Sequence, residues 1–235
     1  MTETSVAAPG AEQRPLKGIR RTAARRMVVA WAAPAFHLQV DVDMTAALAG
    51  AKQLEKATVT DVLLAATAAA LVAHPDLNAT YADEVVSIHD RVSLGLAVST
   101  DAGLVVPVVH DVDGVDLAEV TAKRRDVVSR ARSGDLKIDD VQGGTFTISN
   151  LGMLGIDRFD AILNTPQVGI LAVGSTVERA VVVDGSVVVR PISTFTLTCD
   201  HRAVDGATGA GFLAEVRRQL ESGTSAASPE GTHDG

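Results

Sequence analysis

The chain has 235 residues, 46% of them hydrophobic, enough to bury roughly 70–75% of its unfolded surface in one core without help from disulfides. A net charge of −8 disfavours nucleic-acid binding as the main role, and no apolar run reaches the ~18–20 residues of a membrane span. One cysteine excludes an internal disulfide; with an N-terminus that lacks the basic segment and apolar core of a signal peptide, it points to a reducing, cytoplasmic location.

Residues 1–14 and 222–235 are polar, small and aperiodic, which predicts two disordered tails around a single domain over 15–221. The first predicted element is a helix carrying Lys17, Arg20, Arg21, Arg25 and Arg26, with an apolar stripe of Ile19, Ala23, Met27 and Ala30. Its basic face reads as a solvated surface, as a contact for an acidic neighbouring subunit or domain, or, least of the three, as a contact for the phosphates of a ligand. Phe36, Leu38, Val40 and Val42 alternate with polar residues, the period of a half-buried strand. Residues 60–74 form an Ala/Leu-rich helix with Thr60 as its expected N-cap, closed by Pro75. Strands follow over 85–88, 92–100 and 104–109, then a helix over 117–132 with its acidic residue early and its basic residues late, and a strand over 145–149. A hairpin turning on Asp184-Gly185 joins 168–182 to 186–189. A strand over 192–199 runs into a helix over 207–220, for which Asp205 is the expected N-cap. No internal repeat is visible. The order implies an α/β fold with a central mixed sheet flanked by helices.

The chemistry concentrates where that last strand ends, in Asp200-His201-Arg202-Ala203-Val204-Asp205-Gly206. An imidazole near neutral pH can take a proton from a thiol or hydroxyl and return it, general-base work typically worth ~10²–10⁴-fold. Taken alone, H-x-x-x-D more often marks a histidine satisfied by backbone groups in a turn. Ser149 lies at another strand end, in Gly143-Gly144-Thr145-Phe146-Thr147-Ile148-Ser149-Asn150-Leu151-Gly152. Cys199 shares its strand face with Leu197 and Phe195, which places it in the core, although its position beside His201 also raises a nucleophile reading. His201 and Asp205 lack a third ligand, and His37, His74, His89 and His110 fall on separate elements, so no metal site is expected.

Together with Gly103-Leu104-Val105-Val106-Pro107-Val108-Val109, His74-Pro75-Asp76-Leu77-Asn78, Ala97-Val98-Ser99-Thr100 and Asn164-Thr165-Pro166, these motifs resemble the catalytic domain of the 2-oxoacid dehydrogenase acyltransferases. The resemblance covers about 16–220 and keeps the family's motif order. Asp200 before His201 matches the Asp-His-Arg form of that family, where chloramphenicol acetyltransferases usually carry two histidines. The resemblance implies a chloramphenicol acetyltransferase-like fold and acyl transfer between coenzyme A and the thiol of dihydrolipoamide. In it, His201 is the general base, Ser149 donates to the oxyanion, and Asp205 is structural support. Ser99, Thr100, Gly103 and Leu104, with Asn150 and Gly152, are candidates for lining the substrate channel, and a plain hairpin turn explains the first four equally well. The resemblance further implies a homotrimer with active sites at subunit boundaries, partnered by a lipoyl domain and by dehydrogenase components. No lipoyl domain is visible in the sequence, so either the lipoyl arm comes in trans from another chain or this is an excised or specialised domain. The polar C-terminus lacks the apolar segment that joins trimers in relatives, which predicts an isolated trimer. Ala35 departs from the family's frequent histidine after this proline. The competing functions are an acyltransferase with another acceptor and a non-catalytic trimeric scaffold for dehydrogenase partners.

Overall fold

The structure, a computed structural model, describes residues 11–12 and 14–222. The expected tails fall almost wholly outside these residues, as does the C-terminal stretch on which the isolated-trimer expectation rests. In chain order the elements are helix α1 (Gly18–Trp31), strand β1 (Ala35–Asp43), helices α2 (Thr45–Gln53) and α3 (Val59–Ala73), and strands β2 (Ala79–Ala82), β3 (Val85–Ile88), β4 (Leu94–Leu96), β5 (Val98–Thr100), β6 (Gly103–Val105) and β7 (Val108–Val109). Helix α4 (Leu117–Ser133), strands β8 (Phe146–Asn150), β9 (Gly169–Val173), β10 (Val177–Val183) and β11 (Ser186–Asp200), and helix α5 (Gly206–Ser222) complete it.

The central sheet runs β1-β11-β9-β8-β4-β7, with β10 also paired to β11. It is mixed, because β8 is parallel to both β9 and β4 while the other pairs are antiparallel. Strand alternation gives the sheet two unlike faces. Phe195, Leu197 and Cys199 of β11 are fully buried in the main core with Phe212, Leu213 and Val216 of α5. Helices α2, α3, α4 and α5 pack in a contiguous layer. The other face carries Thr194, Thr196 and Thr198 and is covered in part by a small cluster of Ala33, Ala161, Leu163, Ile170 and Ala172.

Several expectations shift. The cap of α3 is Thr58, not Thr60: the Asp61 carboxylate accepts from the Thr58 N–H at 2.7 Å while the Thr58 side chain accepts from the Asp61 N–H, a reciprocal arrangement only a residue three positions before Asp61 can make. The expected strand over 92–100 is two strands, since β4 joins the central sheet while β5 leaves it to pair with β6. Residues 104–109 divide likewise, with Pro107 between β6 and β7. Residues 168–182 divide between β9 and β10, whereas β11 runs unbroken through Pro191. The Pro191 carbonyl accepts from Met44 N at 2.8 Å, so the position faces the point where β1 ends and its missing N–H interrupts no ladder. The Asp184-Gly185 turn is present, both residues at positive φ (50° and 77°), as a two-residue hairpin turn requires. Helix α1 forms, but Ile19 and Met27 of its stripe remain 44% and 37% exposed.

Candidate active site

His201 follows the last residue of β11 and its backbone is held from both sides. Its N–H donates to the Pro34 carbonyl at 3.0 Å, which staples it to the start of β1. The adjacent Asp200 is 2% exposed, and its carboxylate accepts from the Arg202 N–H (3.1 Å), Nε (2.9 Å) and Nη2 (2.6 Å). The Arg202 guanidinium lies 4.3 Å from the centre of the Tyr81 ring. This brace was not legible as such from sequence, because Tyr81 reaches Arg202 only through the packing of β2. The His201 ring is exposed and stacks at 4.5 Å on Phe36.

Asp205 caps α5, accepting from Thr208 N at 2.8 Å. Hydrogen bonds from the Thr208 backbone and side chain hold its carboxyl below the ordinary carboxylate range. It therefore stays ionised through neutral pH, with its acceptor capacity directed at the helix end.

Cys199 is fully buried, and a β-carbon built on Gly209 of α5 would meet its Sγ at 3.5 Å. Burial, helped by the Asp200 charge, pushes its thiol up to about 12. A thiol held protonated in a dry core is no nucleophile at neutral pH, so the core reading stands and the nucleophile reading falls.

Ser149 is half-buried near the end of β8, and its hydroxyl makes no hydrogen bond among the described residues. The loop beyond it is tightly tied. Asn150 Oδ1 accepts from Gly152 N at 2.9 Å, and Ser175 Oγ donates to the carbonyls of Gly152 and Ile156, both at 3.1 Å. Gly152 rests on Gly174 so closely that an added β-carbon would lie 2.6 Å from the Gly174 carbonyl oxygen. Ser175 and Gly174 carry only a weak signal in the sequence, a Gly-Ser pair between two valine-rich runs.

The β5–β6 hairpin emerges at the same end of the sheet as Ser149, since Ala97 N donates to the Ile148 carbonyl at 2.9 Å just before β5. Ser99, Thr100, Gly103 and Leu104 lie on that hairpin, with the Thr100 hydroxyl donating to the Gly103 carbonyl at 2.7 Å and Leu104 57% exposed. Two groups result: Ser149, Asn150, Gly152 and the hairpin at one end, His201 and Asp205 at the other.

Strand register fixes the gap between them. Ser149 pairs with Ala172, and Ala172 with Thr196, five residues before His201. Five residues along a strand and two strands across correspond to about 16 Å and about 10 Å, so the two α-carbons are roughly 19 Å apart within one protomer. A cavity of about 720 Å³, lined by Asp43, Arg179, Arg190, Arg217 and Glu221 among others, contains neither residue. Among the described residues no three His, Cys, Asp or Glu side chains gather as a metal site would need, and no helix is long and apolar enough to cross a membrane.

The family described as 2-oxoacid dehydrogenases acyltransferase (catalytic domain) matches residues 8–227. Curated relatives include the dihydrolipoyllysine-residue acetyltransferase components of the pyruvate dehydrogenase complex of Rickettsia bellii (35% identical, 88% of this chain, 52% of that protein) and of Schizosaccharomyces pombe mitochondria (40%, 92% and 47%). The chain thus spans about half the length of these relatives. Among solved structures, a probable dihydrolipoamide acetyltransferase from Listeria monocytogenes superposes with a TM-score of 0.87 at 29% identity, over 96% of this chain and 99% of that one. The dihydrolipoamide acetyltransferase of Azotobacter vinelandii, studied for a serine, a histidine and an asparagine in its catalytic mechanism, gives 0.83 at 31%, over 90% and 91%. Those three residues stand 52 and then four positions apart, the spacing of Ser149, His201 and Asp205. A chloramphenicol acetyltransferase at 14% identity and a TM-score of 0.59, over 83% of this chain and 94% of that one, shares the fold. With the family match covering most of its length and relatives at 35% and 40% identity, the chain belongs to the 2-oxoacid dehydrogenase acyltransferase family, as its catalytic domain.

Proposed function

We propose that residues 15–221 form an acyltransferase that moves an acyl group between the thiol of coenzyme A and the thiol of dihydrolipoamide, in a homotrimer whose sites lie between protomers. The observation that carries this reading is the placement of an exposed imidazole at one end of the sheet and, at the other, a half-buried hydroxyl unpartnered among the described residues. A head-to-tail ring sets one end of each protomer against the opposite end of the next, so a closed cyclic assembly offers as many composite sites as it has chains.

In such a site His201 takes the proton of the attacking thiol, whose free pKa of ~8.5 leaves it mostly protonated at neutral pH. The thiolate sulfur bonds to the thioester carbonyl carbon, and the oxyanion that forms accepts a hydrogen bond from Ser149 Oγ. Collapse breaks the other carbon–sulfur bond, and the departing thiolate recovers the proton from His201. One thioester replaces another, so the free-energy change is small and the same base serves both directions. Ser99, Thr100, Gly103, Leu104, Asn150 and Gly152 line the approach on the serine side. A reducing, cytoplasmic setting belongs to this reading, since both substrates react as free thiols. The lipoyl domain and the dehydrogenase components are the partners it calls for.

The test is turnover of acetyl-coenzyme A with free dihydrolipoamide, followed by succinyl and branched-chain donors. His201→Ala is expected to lower kcat by ~10²–10⁴-fold, and Ser149→Ala by ~10²–10³-fold. Turnover with amine or alcohol acceptors alone would favour an acyltransferase of another acceptor class. No turnover with any donor, and no effect of His201→Ala in the cell, would leave the scaffold.

A further inference from the structure

We propose that Phe36 is the positioning residue for the His201 imidazole, fixing the orientation in which the ring meets a thiol; the inference rests on the reading of His201 as the base. The backbone of residue 201 is already set, by the Pro34 carbonyl on one side and the Asp200–Arg202 fork on the other. Only the two side-chain torsions remain. A catalytic histidine is commonly oriented by a carboxylate on its second nitrogen, yet both nearby carboxylates are engaged elsewhere. Asp200 is taken up by Arg202, and Asp205 by the first turn of α5. The imidazole makes no hydrogen bond among the described residues, and its ring contact is with Phe36, centroids 4.5 Å apart and planes at 45°.

Phe36 can serve because its own side chain is packed in place. It sits opposite Cys199 in the β1–β11 register and packs, half-buried, against the main core. One ring is therefore anchored and the other, exposed, rests upon it. The contact selects one imidazole rotamer over those that would swing the ring into solvent.

The test compares Phe36→Leu and Phe36→Tyr in the full chain, reading kcat, KM for coenzyme A, and the His201 imidazole signal of ¹³C-histidine-labelled protein, identified through His201→Gln. The leucine variant is expected to lower kcat about 10-fold, less than the ~10²-fold of a 1 Å misplacement, with KM changed by less than about twofold. It also moves the His201 ring signal, because the ring current of Phe36 is gone. The tyrosine variant keeps both rate and signal near the parent. An unmoved His201 signal or an unchanged kcat in the leucine variant overturns the proposal, as does a folded tyrosine variant as slow as leucine. If thermal melting shows the leucine variant unfolded, Phe36→Met, which keeps apolar bulk without a ring, takes its place. Absence of turnover in the parent protein would sink the acyltransferase reading instead, and the imidazole signal would still decide the role of Phe36.

Discussion

By the spacing of 52 and four positions, Asp205 corresponds to the asparagine named in the mechanism of the Azotobacter vinelandii enzyme, and the local geometry says what an exchange to asparagine costs. The cap on α5 needs one side-chain oxygen facing the Thr208 N–H, which an amide supplies as well as a carboxylate does. Asp205→Asn should therefore leave kcat within about threefold, the cap being retained, while Asp205→Ala should lower the urea midpoint through loss of the cap. A ten-fold or larger loss in the asparagine variant would mean that the negative charge itself acts on His201. Cys199 offers a second measurement at this scale. Because burial holds its thiol up to about 12, a disulfide reagent at pH 8 should find no reactive thiol in the native protein and one per chain in denaturant. The inward placement of Cys199 was legible from the alternation of Phe195, Leu197 and Cys199, a strictly local pattern. The environment of His201 was not, because Phe36 reaches its ring, and Tyr81 the neighbouring Arg202, through strand pairing and packing across more than a hundred residues.

Between elements, two ion pairs carry more than their sequence signals suggested. Asp61, having capped α3, is fully buried and gripped by Arg124 of α4, whose Nη2 donates at 2.9 Å. Removing only the cation leaves an uncompensated buried charge, so Arg124→Met should cost ~3–5 kcal/mol in a denaturant titration. Farther along, Arg130 of α4 forks Asp140, and the Lys137 amide adds a further hydrogen bond at 2.8 Å. These hold the Asp140 carboxyl at about 2. Unfolded, the same carboxyl titrates near ~3.9. The stability it adds is thus present above about pH 4 and is lost as pH falls toward 2. Asp140→Asn should lower the melting temperature at pH 7 and flatten the acid limb between pH 4 and 2; an unchanged acid limb would show that the pair contributes nothing. Helix α4 itself was readable from 117–132, including its basic last turn. The cap of α3 was misplaced by two residues, although Thr58-x-x-Asp61 carries the reciprocal signature, because Thr60 stands beside it with the same side chain. The division of 92–100 into β4 and β5 has no local marker; it follows from β4 having β7 and β8 as neighbours while β5 has only β6.

At the level of the whole molecule, the separation of Ser149 from His201 makes a prediction that does not depend on the identity of the acyl group. The register puts their α-carbons five residues and two strands apart, roughly 19 Å, too far for one side chain to take the proton of the attacking thiol while the other donates to the oxyanion of the same intermediate, each at ~3 Å. If the site is composite, a His201→Ala protomer still offers an intact serine end, and a Ser149→Ala protomer an intact histidine end. Each variant alone should be nearly inactive. Unfolded together in equal amounts and refolded, they should form mixed rings in which a site works when a His201-bearing chain precedes a Ser149-bearing one. Random assembly satisfies that condition at about a quarter of the boundaries in a closed heterologous ring. Mixing should then recover about a quarter of parental activity per chain, and refolding each variant separately before mixing should recover none until subunits exchange. A site contained within one protomer would recover nothing under either regime, since every chain would lack one of its two groups. The double variant, refolded with parental protein, supplies the complementary reading. In a composite site it spoils both boundaries of every ring position it occupies, so activity should fall with the square of the parental fraction; in a self-contained site it should fall in simple proportion.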